Sequence, residues 1–150
     1  MTIKAELETP IGRSQDAVFD ELTAIQRLPE WLVSTGVKRV DVLDSAPLAQ
    51  GSPLRIEQEL AGRMAMLEGT VTALERPNRF AFHVEGPEGV AVDVDASVAG
   101  DGLRSQVRWS LELKLPMRYR LFESVAAPQI RAAVAEDLER LKRRLESVAN

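Results

Sequence analysis

His83 is the chain's only histidine, and an imidazole that titrates near neutrality is the first group to weigh for general acid or base work. It alternates with Phe82 and Val84, so a core on their side turns His83 outward with Ala81 and Glu85; a one-residue bulge would reverse that. Asp93 and Asp95 have the spacing of paired carboxylates or a cation site, yet they alternate with Val92 and Val94 and are expected to face water. Glu68 shares its face with Met64 and Met66, as plain surface or as a subunit contact. Gln58 is different, because it interrupts the apolar series Leu54, Ile56 and Leu60 with a group that both donates and accepts. A buried amide needs partners: an oxygen on a bound molecule is one, and backbone or water at the sheet rim is the other. Trp31 and Trp109 each bring a large apolar surface and one donor, suited to core packing or to ligand contact. Tyr119, the only tyrosine, stands with Arg118 and Arg120, where it would meet a ligand carboxylate or cap the end of a pocket.

Composition excludes other chemistries. The chain has no cysteine, which removes disulfides, thiolate zinc sites and cysteine nucleophiles. With a single histidine as well, no metal and no cofactor are expected. Gly100-Asp101-Gly102 reads as a hairpin turn, since no helix follows it to bind a phosphate. Ser52 and Ser110 have no histidine placed to activate them. The formal charge of −4 is opposite in sign to a nucleic-acid footprint, so no nucleic-acid partner is expected. At 150 residues the chain fits one domain, 1–150, that buries about 70% of the surface its unfolded form exposes. The opening Met1-Thr2-Ile3-Lys4-Ala5-Glu6 carries charge and no long apolar run, and no stretch approaches about 18 consecutive apolar residues. The expectation is a cytoplasmic protein with no secretion signal and no integral membrane segment.

Hydropathy patterning supplies the elements that must position these residues. Ile3, Ala5, Leu7 and Thr9 alternate with charged neighbours, a half-buried strand stopped by Pro10. Ser14 caps a short helix with Val18, Phe19 and Leu22 on its inner face. Thr23-Ala24-Ile25-Gln26 has capping-box spacing and predicts a second short helix carrying Ile25, Leu28 and Leu32. Residues 37–43 read as a strand, and 44–53 as a loop. Five more strands follow. Leu54, Ile56, Gln58 and Leu60 face Ala65, Leu67, Gly69 and Val71 across a turn at Ala61-Gly62. Phe80, Phe82 and Val84 follow through Arg76-Pro77-Asn78, and Val90, Val92 and Val94 through Gly86-Pro87-Glu88. A loop at residues 99–102 returns Leu103, Val107, Trp109, Leu111 and Leu113. Each hairpin keeps one apolar face, which predicts a continuous antiparallel meander. From Pro128 to Asn150, Ile130, Val134, Leu138, Leu141, Leu145 and Val148 form a stripe along a helix of roughly 30 Å. On its outer side, Glu136 with Arg140 and Glu139 with Arg143 have the spacing of ion pairs.

This order of strand, two short helices, six strands and long helix resembles the START-like or Bet v 1-like superfamily, in particular its bacterial SRPBCC branch of polyketide cyclase/dehydratase-like proteins. The resemblance rests on Val18-Phe19-Asp20, Leu28-Pro29-Glu30-Trp31, Glu68-Gly69-Thr70-Val71-Thr72, Arg76-Pro77-Asn78-Arg79-Phe80 and Leu138-Glu139-Arg140-Leu141-Lys142. It implies an α+β helix-grip fold: a curved seven-stranded antiparallel sheet, two short helices after the first strand, and a long C-terminal helix across the sheet. It also implies an apolar molecule held between helix and sheet, with the mouth of the cavity near Trp31.

The expected lining joins Trp31 to Leu54, Ile56, Gln58, Leu67 and Val71. Phe80, Phe82, Val92 and Val94 continue it, and Trp109, Leu111, Tyr119, Ile130 and Val134 close it. The small residues Ala65, Gly69, Ala126, Ala127 and Ala133 are expected to leave room. The leading expectation is binding or carriage of a small hydrophobic ligand such as a lipid, isoprenoid, quinone or polyketide-like compound. The second is a cyclase or dehydratase in which Gln58, Tyr119 or a misregistered His83 acts on a carbonyl. The third is an interaction module whose interior is filled by its own side chains. A homodimer touching through Met64 and Met66 is compatible with all three.

Overall fold

The computed structural model describes residues 2–60 and 62–147, with the backbone alone for residues 120–123. Alternation builds one seven-stranded antiparallel sheet: β1 (Thr2–Ile11), β2 (Val37–Val42), β3 (Pro53–Leu60), β4 (Arg63–Glu75), β5 (Arg79–Glu85), β6 (Ala91–Gly100) and β7 (Ser105–Lys114), in the order β1-β7-β6-β5-β4-β3-β2. Between β1 and β2 lie α1 (Gln15–Leu22) and a 3-10 helix (Ile25–Glu30). Short 3-10 helices also join β5 to β6 (Pro87–Gly89) and lead from β7 (Met117–Phe122) into α2 (Glu123–Ser147). The expected hairpin registers hold: Ile56 opposes Leu67, Phe82 opposes Val94, and Val94 in turn opposes Leu111. The two-residue turn between Leu60 and Arg63 contains Ala61, which lies outside the described residues, and Gly62, whose φ of +79° suits glycine.

Where the chain departs from expectation, a local cause is visible. Pro10 does not stop β1, because β1 is an edge strand on which a missing N–H costs no ladder bond on its open side. Thr23 makes no capping box; its hydroxyl donates back to the Phe19 carbonyl at 2.8 Å and closes α1 instead, whereas Ser14 caps α1 as expected by accepting from Ala17 N–H. In β4 the register shifts between Val71 and Ala73, so Thr72 is an extra residue and Leu74, rather than Ala73, opposes Phe80. Leu103 does not return to the inner face. β6 and β7 pair as far as Gly100 and Ser105, and the Asp101 carboxylate accepts from the N–H groups of Leu103 and Arg104, which leaves Leu103 79% exposed. Helix α2 begins five residues before Pro128, since that proline forfeits only the bond to the carbonyl of exposed Ser124.

The apolar stripe of α2 is sealed against the sheet over its later turns: Val134, Leu138, Leu141 and Leu145 are buried, while Ile130 is only partly covered. Val148 lies outside the described residues. Trp31 and Trp109 meet edge to face at 5.4 Å in the centre of the core, with Trp31 fully buried. One end of the helix-sheet interface is therefore close-packed, and the other, under the first turns of α2, is not.

Candidate functional site

The loosely covered end encloses a cavity of about 270 Å³. Its sheet wall is Val92, Leu111 and Leu113, with the partly buried Leu60 and Leu115; its helix wall is Ala126, Gln129, Ile130 and Ala133. The void has a sequence-level cause. Where later turns of α2 present Leu138, Leu141 and Leu145, the earlier ones present alanines, and the space a larger side chain would fill stays open. The interior is thus not filled by the protein's own side chains, as an interaction module of the expected kind would require. A second chamber of about 30 Å³, room for a single water, lies deeper between Leu28, Val40, Ile56, Phe82 and Trp109. Both spaces are lined by Thr35, Gln58, Val92 and Leu111, which form the partition between them.

Of the residues expected to line a pocket, Gln58, Val92, Leu111 and Ile130 border the large cavity. Ile56, Phe82, Val94 and Trp109 border the small one. Leu54, Leu67, Val71, Phe80 and Val134 are sealed core instead, each at most 1% exposed. Trp31 is also core and lies away from the mouth, because its ring is docked on Trp109 beneath the 3-10 helix. Tyr119 does not reach the cavity; its ring lies beneath the Arg118 guanidinium, which is itself paired with Glu88. Gly69 leaves no room for a ligand either. A Cβ there would come within 1.8 Å of the His83 carbonyl oxygen, so the strand backbone occupies that space.

Sequence reasoning missed the polar wall. Ser34 and Thr35 follow the first 3-10 helix, and the turn is completed by Gly36 at φ +85°, where a Cβ would strike the Glu59 carbonyl. Asp137, only 1% exposed on α2, clamps this turn: it accepts from Ser34 N–H at 2.7 Å, Thr35 N–H at 3.1 Å and the Thr35 hydroxyl at 2.6 Å. Arg140 pairs with Asp137 at 2.8 Å rather than with Glu136, and Glu136 accepts from the Ser34 hydroxyl at 2.7 Å. The i, i+4 reading of that pair failed because a tertiary partner outcompeted it, whereas the exposed Glu139–Arg143 pair forms at 3.9 Å. The signal for Asp137 was its position beside the apolar stripe, one residue before Leu138. Gln58 completes the wall. Its amide Nε2 donates to the Thr35 carbonyl at 2.8 Å, the backbone alternative, and no hydrogen bond to its Oε1 is found among the described residues.

His83 is on the other side of the sheet, as its alternation with Phe82 and Val84 predicts. Its Nε2 lies 2.8 Å from Glu85 and its Nδ1 2.6 Å from Asp93, and these bonds to Glu85 and then Asp93 raise its pKa above the ordinary value. Asp95 likewise faces outward and holds Arg79 at 2.7 Å. Met64 and Met66 are 58% and 45% exposed on the same outer face, where Glu68 pairs with Arg55 at 3.3 Å. Among the described residues no cluster of histidine and carboxylate groups is arranged to hold a metal ion, and no helix is long and apolar enough to cross a membrane.

A curved antiparallel sheet gripping one long helix over an apolar cavity defines the helix-grip, Bet v 1-like class. Within it, the chain belongs to the family described as polyketide cyclase/dehydrase and lipid transport, whose pattern it matches over residues 2–146. Among solved structures it is similar to the ZhuI aromatase/cyclase from Streptomyces sp. R1128, with 13% identity and a TM-score of 0.77 over 100% of this chain and 97% of that one. It is also similar to a START superfamily protein from Mycobacterium smegmatis, with 13% identity, a TM-score of 0.76, and coverage of 98% and 99%. Ara h 8.0201 shares the fold at 10% identity and a TM-score of 0.67, over 98% and 99% of the two chains. No curated protein sequence matches the chain.

Proposed function

We propose that this protein binds and carries a small, mostly apolar molecule in the cavity beneath the first turns of α2. The observation that supports this best is the cavity itself, a void of about 270 Å³ walled mostly by aliphatic side chains beside a close-packed core. Burying a ligand's apolar surface there is favourable at about 25 cal/mol per Å². The lipid-transport half of the family description agrees with this reading. The cyclase half, and the aromatase/cyclase fold relative, need a group in the cavity that moves a proton. Among the described lining residues the sole titratable side chain is Glu59, which is exposed at the mouth and 4.0 Å from Lys38. His83 faces away and Tyr119 is not in the lining, so retention of a ligand is favoured over its conversion.

The test is native mass spectrometry of freshly purified protein beside its denatured mass and an organic extract. A releasable small molecule supports carriage. The Ala133→Phe variant should fold, fill the cavity and lose that molecule; if it retains the full complement, the cavity is not the binding site.

A further inference from the structure

Every polar group of the inner wall is oriented, and the orientations restrict what can bind. Resting on the ligand-binding reading above, we infer that the cavity selects a neutral apolar molecule bearing a hydroxyl group, whose proton goes to Oε1 of Gln58, and discriminates against carboxylates and pure acceptors. The bond from Gln58 to the Thr35 carbonyl fixes which end of the amide is nitrogen, because a carbonyl can only accept. The Gln58 oxygen is therefore the free acceptor on a residue that is 7% exposed and borders both chambers. The single hydroxyl proton of Thr35 goes to Asp137 and that of Ser34 to Glu136, and both backbone N–H groups go to Asp137. What these two residues keep for the cavity is lone pairs.

Glu59 adds another acceptor at the mouth. Among the described side chains of the lining, the donors left are the second amide hydrogen of Gln58 and the amide of exposed Gln129. Arg140 does not change the balance, since its guanidinium is engaged by Asp137, the Trp31 carbonyl and the Ser34 hydroxyl. A ligand hydroxyl finds an acceptor it can satisfy. A carboxylate would instead meet the lone pairs of Gln58, Ser34 and Thr35 and the Glu59 carboxylate, with little among the lining side chains to donate to it. Size narrows the class further: a dry cavity of about 150 Å³ holds benzene, so this one takes roughly a two-ring molecule or an aliphatic of equal bulk.

Calorimetric titration of the whole protein at pH 7 with 2-naphthol, 2-methoxynaphthalene and 2-naphthoate tests this. The naphthol should bind about tenfold tighter than its methyl ether, the usual effect of one buried hydrogen bond, and the carboxylate should bind weakest. In Gln58→Met the naphthol should fall to the level of the ether while the ether is unchanged. The wild-type ratio stands even if that variant does not fold. Equal binding of naphthol and ether, or tightest binding of the naphthoate, overturns hydroxyl selection and leaves the cavity as a binding site. No binding of any of the three overturns the ligand-binding reading together with this one.

Discussion

Replacing Asp137 by alanine should destabilise the protein strongly, and the cost can be worked from its bonds. The carboxylate is 1% exposed and accepts from two backbone N–H groups, one hydroxyl and one guanidinium at 2.6–3.1 Å. Hydrogen bonds to a charged group contribute about 1.5–3 kcal/mol each, but four that share one carboxylate do not add. The nearest analogue is the loss of one member of a buried ion pair, which costs about 3–5 kcal/mol, so about 4 kcal/mol is expected for Asp137→Ala. Asp137→Asn keeps one acceptor oxygen and should lose about half of that. Glu136→Ala, an exposed residue with one bond to Ser34, should lose under about 0.5 kcal/mol. Urea unfolding with a common m-value gives these numbers, and a domain of this size should show a fall in Tm of about 8–16 °C for the alanine variant. A loss below about 1 kcal/mol for Asp137→Ala would refute the claim that this side chain anchors the 34–36 turn.

Three more outcomes follow from the same geometry. Because His83 is the only histidine, its imidazole proton resonance can be titrated without assignment, and its midpoint should lie above the ordinary value of about 6.5. A raised folded pKa stabilises the protein fully below the unfolded pKa and is lost as pH rises through the folded one. Wild type should therefore gain over His83→Gln on acidification from pH 8 to pH 6, and a gap that widens toward pH 8 would contradict the sign. Gly69→Ala should cost about 3 kcal/mol, since its Cβ would meet strand backbone rather than a movable side chain; a near-neutral melting curve would show that β4 and β5 separate there easily. Ala133→Phe, by contrast, should leave the melting temperature unchanged or raised, because it fills space that holds no side chain.

The sequence by itself determined the sheet and its facing. Period-two alternation put His83, Asp93 and Asp95 outside and Phe82, Val92 and Val94 inside, and the structure keeps each on its predicted face. Register is that legible because a one-residue slip would turn an entire strand's apolar set into water. The stripe on α2 and the cap at Ser14 were legible for similar local reasons. The bulge at Thr72 was not, since an unpaired residue leaves no mark in the composition of its own strand.

Only the tertiary structure decided which part of the helix-sheet interface stays open. Leu54, Leu67, Val71 and Phe80 share a face and a residue type with Val92 and Leu111, yet the first group is sealed and the second borders the cavity. Burial of an inward residue depends on what lies across from it, and that is set by where α2 crosses and which of its turns carries alanine. The polar wall was hidden for the same reason. Asp137 and Thr35 are about a hundred residues apart in the chain and each reads as ordinary in isolation, and their hydrogen bonds exist only once α2 has packed; Gln58 was legible as a break in its apolar series, but the partner its amide takes was not. Alternation and helical periodicity are carried by neighbours in sequence, whereas a cavity and the direction of a buried amide are carried by neighbours in space.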